Sequence, residues 1–234
     1  MNLCLTIDTS LYGTALALSD LSGSTLFWKG FYDEKGRSDT AIGLLLEEGL
    51  KKVGQPVGTI SHLVVSHGPG SFTGIKVGLA WAYGFCLGQK GCKILGLSSL
   101  REAVFELAGE QNTQKLTLLF PISRREAFLA SLENGEIGIR SVDTEEMVEQ
   151  FSKETPFFVC QDEKWVALLK ERRVVRKTVS FPQLMKLALN GMISRTKILG
   201  TPAFGYTLPE PVYMKKSSVE EQRAKKEGGN GEKR

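Results

Sequence analysis

The sequence predicts an α/β protein built in two halves, with the second half smaller. Three observations predict it. Short β-prone runs open each half, and helix-period segments follow them. A polar stretch, Gly109–Gln114, separates the halves and reads as a hinge. The composition is that of a folded chain: 234 residues, 41% hydrophobic, 24% charged, net charge +4. Too many apolar residues and too little net charge exclude a largely disordered protein. The expected divisions are 1–109, 110–214 and a disordered charged tail at 215–234. No run reaches the ~18 apolar residues of a membrane span. The N-terminus has no basic stretch and meets Asp8 too soon for a secretory signal, so a cytoplasmic protein is expected.

Leu3–Ile7, Thr14–Leu18 and Ser24–Phe31 are apolar runs separated by Gly- and Ser-containing turns, which predicts an antiparallel meander. The first run ends at Asp8-Thr9-Ser10. A helix follows, opened by Ser38 or Asp39 and carrying Ile42, Leu45, Leu46, Gly49, Leu50 and Val53 at helical spacing. Gly54 and Pro56 stop it. Ser61–Ser66 is then a strand that lies parallel to the first if this helix is a crossover.

Next comes Gly68-Pro69-Gly70-Ser71-Phe72-Thr73-Gly74, between that strand and an apolar helix. Its glycines allow a sharp turn and close backbone approach. Two readings stand: a tight structural turn capped by Ser71 or Thr73, or an anion site made of helix N-terminal amides. No standard phosphate pattern fits. Ile75 follows Gly74 where a P-loop needs Lys, and Thr73 stands where a dinucleotide fingerprint needs Gly. A serine-hydrolase elbow is also broken, because Gly70 directly precedes Ser71.

The helix itself, Val77–Gln89, contains no charged residue. A helix apolar all round is covered on more than one side. It is too short for a bilayer, so one face should pack on the sheet and the other on a second chain. Small residues recur four apart, and the expected interface is Gly74, Val77, Gly78, Trp81, Ala82, Phe85 and Gly88. Lys93–Leu97 is a fifth strand, and Ser98–Ala108 a helix capped by Ser98 or Ser99.

The second half opens with strands at Lys115–Phe120, Glu126–Leu132 and Ile137–Val142. The last two are joined by Asn134-Gly135, a hairpin signal. Helices are expected from Thr144 and over Lys164–Lys170, and strands over Phe157–Cys160 and Val174–Val179. A last helix, Phe181–Ile193, has Pro182 in its first turn. The halves look related in layout, but no sequence repeat connects them.

Little else suggests catalysis. Cys4, Cys86, Cys92 and Cys160 form no Cys-x-x-Cys pair and read as small buried hydrophobes in a reducing compartment. Only His62 and His67 exist, so no catalytic residue and no metal site are assigned. Lys170–Lys177 holds five bases and one acid. The tail from Lys215 holds seven bases and four acids. Residues 1–214 therefore carry only +1, and the body is not a basic nucleic-acid binder.

The string Gly68–Gly78 after a strand resembles the signature of the TsaB (YeaZ) family. Ile7-Asp8-Thr9-Ser10 and Pro211-Val212-Tyr213-Met214-Lys215 match that family as well. The resemblance implies a two-lobed acetate/sugar-kinase–Hsp70–actin-like fold with a mixed five-stranded sheet in the first lobe. It implies a non-catalytic subunit that pairs with a TsaD-type catalytic subunit. With a TsaE-type ATPase, such complexes transfer threonylcarbamoyl to N6 of the adenosine beside the tRNA anticodon. It further implies pairing through the helix after the Gly-rich loop, and a homodimer when the chain is alone. The chain would bind no cofactor of its own, ATP or ADP belonging to partner subunits, and would meet tRNA through the complex. Asp8 corresponds to the position that faces phosphates in catalytic relatives, here expected to be vestigial. One departure is clear: Pro121 and Ser123 replace the Asp and Arg that open the family's second-lobe motif, while Glu126 is kept.

Two other readings stay open. One is an enzyme, either a glycoprotease-like peptidase using Ser71 and His67 or a small-molecule kinase. The other is direct tRNA binding through Arg172–Lys177 and the tail.

Overall fold

A computed structural model describes residues 1–11, 13–31, 38–122, 126–143, 157–160, 177–195 and 209–213. Strands β1 (Leu3–Asp8), β2 (Thr14–Asp20) and β3 (Thr25–Phe31) lead into helix α1 (Ser38–Val53). Then come β4 (Ile60–Ser66), α2 (Phe72–Gly88), β5 (Lys93–Leu97) and α3 (Ser99–Glu110). The second lobe has β6 (Leu116–Pro121), β7 (Glu126–Glu133), β8 (Glu136–Asp143), β9 (Phe157–Cys160), β10 (Lys177–Val179) and α4 (Phe181–Ser194).

The first sheet has the order β3-β2-β1-β4-β5. The first three strands are antiparallel, and β4 and β5 run parallel to β1. The second sheet repeats this plan as β8-β7-β6-β9-β10, with the same directions. The smaller lobe thus has a five-stranded mixed sheet of its own. The hairpin at Asn134-Gly135 is present, with φ of 52° and 82°.

Side chains alternate along β1 and bury on both sides. Leu3, Leu5 and Ile7 join Leu16, Leu18, Leu63 and Val65 under α1 and α2. Cys4 and Val64 face the other way, onto Met192 of α4. This two-sided burial explains why β1 reads as a largely apolar run with no polar face. Helices α3 and α4 lie between the sheets. Their Leu100, Val104, Leu184 and Ala188 share one core with Ala15 and Ala17 of the first sheet and Phe120 and Phe128 of the second. Gly191 permits the close crossing, since a Cβ there would stand 2.7 Å from the Cβ of Glu102. Arg195 Nε donates to Glu102 Oε2 at 3.1 Å, tying the two helices together.

The two open choices of helix cap are decided, and one placement changes. Helix α2 is capped by Ser71, whose Oγ accepts from Gly74 N at 3.2 Å, so it begins at Phe72, ahead of Val77. Ser98 caps α3, which leaves Ser99 free for another role. Pro209–Tyr213, expected in the second lobe, lies on the first: Val212 N donates to the carbonyl of His67 at 2.8 Å. The expected helices at Thr144 and Lys164–Lys170, the basic run as far as Arg176, Ser123 and the tail fall outside the described residues, as does residue 214.

Candidate functional site

The first polar residues to emerge from the apolar sheet are Asp8, Thr9 and Ser10. They turn the chain between β1 and β2, and all three are buried. Asp8 Oδ1 accepts from Ser10 N at 2.7 Å, Ser10 Oγ at 2.8 Å and Leu11 N at 3.4 Å. Ser10 Oγ also bonds Ser66 Oγ at 2.6 Å and Ser99 Oγ at 2.9 Å, and those two lie 3.0 Å apart. A closed triangle of hydroxyls therefore joins the ends of β1 and β4 to the start of α3. Asp8 Oδ2 is buried without a partner. Burial pushes the Asp8 carboxyl above its ordinary range, against hydrogen bonds from Ser10, Ser99 and Leu11 that pull it down.

The glycine segment is pressed onto this turn. A Cβ at Gly70 would collide with the Ser10 carbonyl, one at Gly74 with the Thr9 carbonyl, and one at Gly78 with Thr9 Oγ1. Thr9 Oγ1 donates to the Gly74 carbonyl at 2.6 Å, and Ser71 N donates to the Ser10 carbonyl at 2.6 Å. The close approach foreseen for these glycines is to the chain's own β1–β2 turn.

A strap closes the side. Tyr83 OH donates to the Pro209 carbonyl, and His67 Nδ1 donates to the Glu210 carbonyl at 3.1 Å. The Tyr213 ring packs on Phe72 at a tilt of 43°, with ring centroids 4.7 Å apart. Gly68, at φ +104°, admits the strap: a Cβ there would meet the Val212 carbonyl at 2.6 Å. Burial lowers the His67 pKa, the hydrogen bond to Glu210 opposing it. Ser71 and His67, the pair a peptidase would need, are thus engaged as a helix cap and a strap anchor. His62 stands elsewhere, with Nδ1 2.8 Å from Ser61 Oγ.

Helix α2 has two faces. Gly74, Gly78 and Ala82 are buried with Ile75 and Leu79 against the lobe's own sheet. The expected interface set is corrected there, because residues packed on Thr9 and Val65 are not available to another chain. Thr73, Lys76, Ala80, Gly84, Leu87 and Gly88 face outward. Val77, Trp81 and Phe85 line one flank half-buried, with the Trp81 and Phe85 rings stacked at 5.1 Å. Gly84 and Gly88 have open space around them, and Leu87 is 86% exposed. The outward stripe past Lys76 is uncharged and small-residued at its centre. Sequence reasoning missed Ser66, Ser99, Tyr83 and the strap; the one available signal was polar Ser66 and Ser99 at the ends of apolar runs.

The family model described as TsaD: tRNA N6-adenosine threonylcarbamoyltransferase matches residues 37–153. The chain belongs to that family. The match covers α1, the glycine segment, α2 and the first three strands of the second sheet. YeaZ from Pseudomonas aeruginosa is similar in structure, with TM-score 0.66 and 17% identity, covering 91% of this chain and all of that one. A Pseudomonas aeruginosa protein with similarity to peptidase YeaZ matches at 0.66 and 16%, covering 92% and 100%. Component A of the (R)-2-hydroxyglutaryl-CoA dehydratase of Acidaminococcus fermentans matches at 0.52 and 8%, covering 86% and 100%. These likenesses establish the two-lobed actin-like fold. No curated protein matches the sequence significantly. No helix among the described residues is long and apolar enough to cross a membrane. The family and fold place the chain in tRNA threonylcarbamoyladenosine modification.

Proposed function

We propose that this chain is the TsaB-type subunit of the modification complex: a non-catalytic partner that binds a TsaD-type catalytic subunit through the outward face of α2. The observation that carries the reading is the packing of the glycine segment on the chain's own β1–β2 turn, where Gly70, Gly74 and Gly78 lie against Thr9 and Ser10. Asp8 is buried beneath it and bonded to Ser10. Such a chain takes no nucleotide there, and its glycine segment serves to set the pitch of α2. ATP or ADP and the TsaE-type ATPase act elsewhere in the complex, and tRNA is met through the partner. In the absence of a partner the same uncharged stripe pairs two copies of the chain.

Ala80→Arg and Gly84→Arg test this. Both positions face outward; Arg suits a helix better than Gly by up to ~1 kcal/mol and is only slightly worse than Ala, so folding is preserved in both variants. Each variant is expected to lose co-purification with the TsaD-type subunit and, alone, to remain a monomer in light scattering. Normal pairing by both variants would sink the proposed interface. ATP hydrolysis by the isolated chain would sink the non-catalytic reading.

A further inference from the structure

The cysteines look unremarkable in sequence, with five residues between Cys86 and Cys92. The fold brings those two together. Cys86 lies in the last turn of α2 and Cys92 just before β5, with their Sγ atoms 3.4 Å apart. The chain reverses between them at Gly91, φ +81°, where nothing crowds the backbone. Both residues are half-buried, so a small solute can reach them. A disulfide requires ~2.05 Å, within reach of side-chain rotation from this separation. Cys4, in contrast, is fully buried, and burial pushes its thiol up to about 12.

We infer that Cys86 and Cys92 form a redox-active dithiol that a hydroperoxide closes to a disulfide. Cys86 is the attacking sulfur. The hydrogen bond between the two sulfurs, 3.4 Å apart, holds Cys86 below the ordinary thiol range and Cys92 above it, which favours a Cys86 thiolate. Cys86 Sγ attacks the peroxide: the S–O bond forms, the O–O bond breaks, and the leaving oxygen departs as water after taking a proton. Cys86 is then a sulfenic acid. Cys92 Sγ attacks it: the S–S bond forms, the S–O bond breaks, and the second oxygen leaves as water with the Cys92 proton. Two thiols lose two electrons, and one hydrogen peroxide becomes two waters. A small dithiol reverses the reaction by exchange. The closed form staples the end of α2 to the start of β5, beneath exposed Leu87.

The full-length chain is treated with hydrogen peroxide, alkylated and cut with trypsin, which cleaves after Lys76, Lys90 and Lys93. The expected product is peptide 77–90 joined to peptide 91–93, lighter by two hydrogens than the separate thiol peptides and separated again by dithiothreitol. Cys92→Ser should trap a sulfenic acid at Cys86 that dimedone labels, while Cys86→Ser should leave Cys92 unlabelled. Wild-type chain in which the two peptides stay separate, or in which Cys86 links only to Cys4, Cys160 or a second copy, would overturn the inference. So would dimedone labelling of Cys92 in Cys86→Ser to the same extent as Cys86 in Cys92→Ser.

Discussion

The two lobes share one sheet plan, and among the described residues they differ at the end of the central strand. β1 and β6 are both six residues long, both centre a five-stranded sheet, and both pair antiparallel on one side and parallel on the other. Where β1 ends in Asp8, β6 ends in Pro121, which has neither a carboxylate nor an N–H to donate. The first lobe there builds a buried knot of Asp8, Ser10, Ser66 and Ser99 and folds a glycine segment over it. In the second, Ile122 N donates to the Glu126 carbonyl at 2.9 Å. Among the described residues the polar knot belongs to the first lobe, beside a sheet plan that both lobes share.

Glycine substitutions break the comparison most sharply. Gly74→Val should destabilise the chain by about 3 kcal/mol, because the new side chain collides with the Thr9 backbone and α2 cannot retreat from the sheet. Gly138→Ala on β8, with open space around it, should stay within ~0.5 kcal/mol in the same urea titration. Equal costs would mean that the glycine segment is not packed on the turn.

A smaller effect is expected where the lobes meet. Arg195→Ala leaves the Glu102 carboxylate, only 6% exposed, without its guanidinium; Arg195 itself is 42% exposed, so the loss is about 1–2 kcal/mol. Thermal unfolding should remain a single transition, since α3 and α4 belong to both halves. Two transitions in wild type would argue against the shared core.

The knot also predicts a pH dependence. The folded pKa of Asp8 is raised, so its contribution is fully present below the unfolded carboxylate range and is lost as pH rises through the folded value. Asp8→Asn does not titrate. Its stability relative to wild type should therefore improve as pH rises above the unfolded carboxylate range, at about pH 4. A difference that stays constant as pH rises from there would mean that burial does not raise the Asp8 carboxyl. Tyr83→Phe, which removes only the hydrogen bond to the strap, should cost ~1 kcal/mol or less and loosen Pro209–Tyr213 to protease.

Most of the frame was legible in the sequence. Apolar runs with Gly and Ser turns marked β1 to β5, the crossover helix made β4 parallel to β1, and Asn134-Gly135 marked a hairpin. These are local signals, carried by the spacing of neighbouring residues. Harder to see was the second sheet, since β9 and β10 are short and pair across long intervals. The glycine segment was recognised, yet which backbone it approached was not.

What the sequence determined alone is the α/β alternation, the two-lobed layout and the near-neutral body beneath a net charge of +4. The tertiary structure decided which side of α2 is available, where Pro209–Tyr213 lies, and what Asp8 faces. It also brought Ser10 to Ser66 and Ser99, and Cys86 to Cys92. The physical reason is range. Propensity and periodicity act over a few residues, while burial and hydrogen bonding act between whatever the fold brings within reach. Gly74 and Gly84 read alike on one helix, and only packing makes one of them core and the other surface.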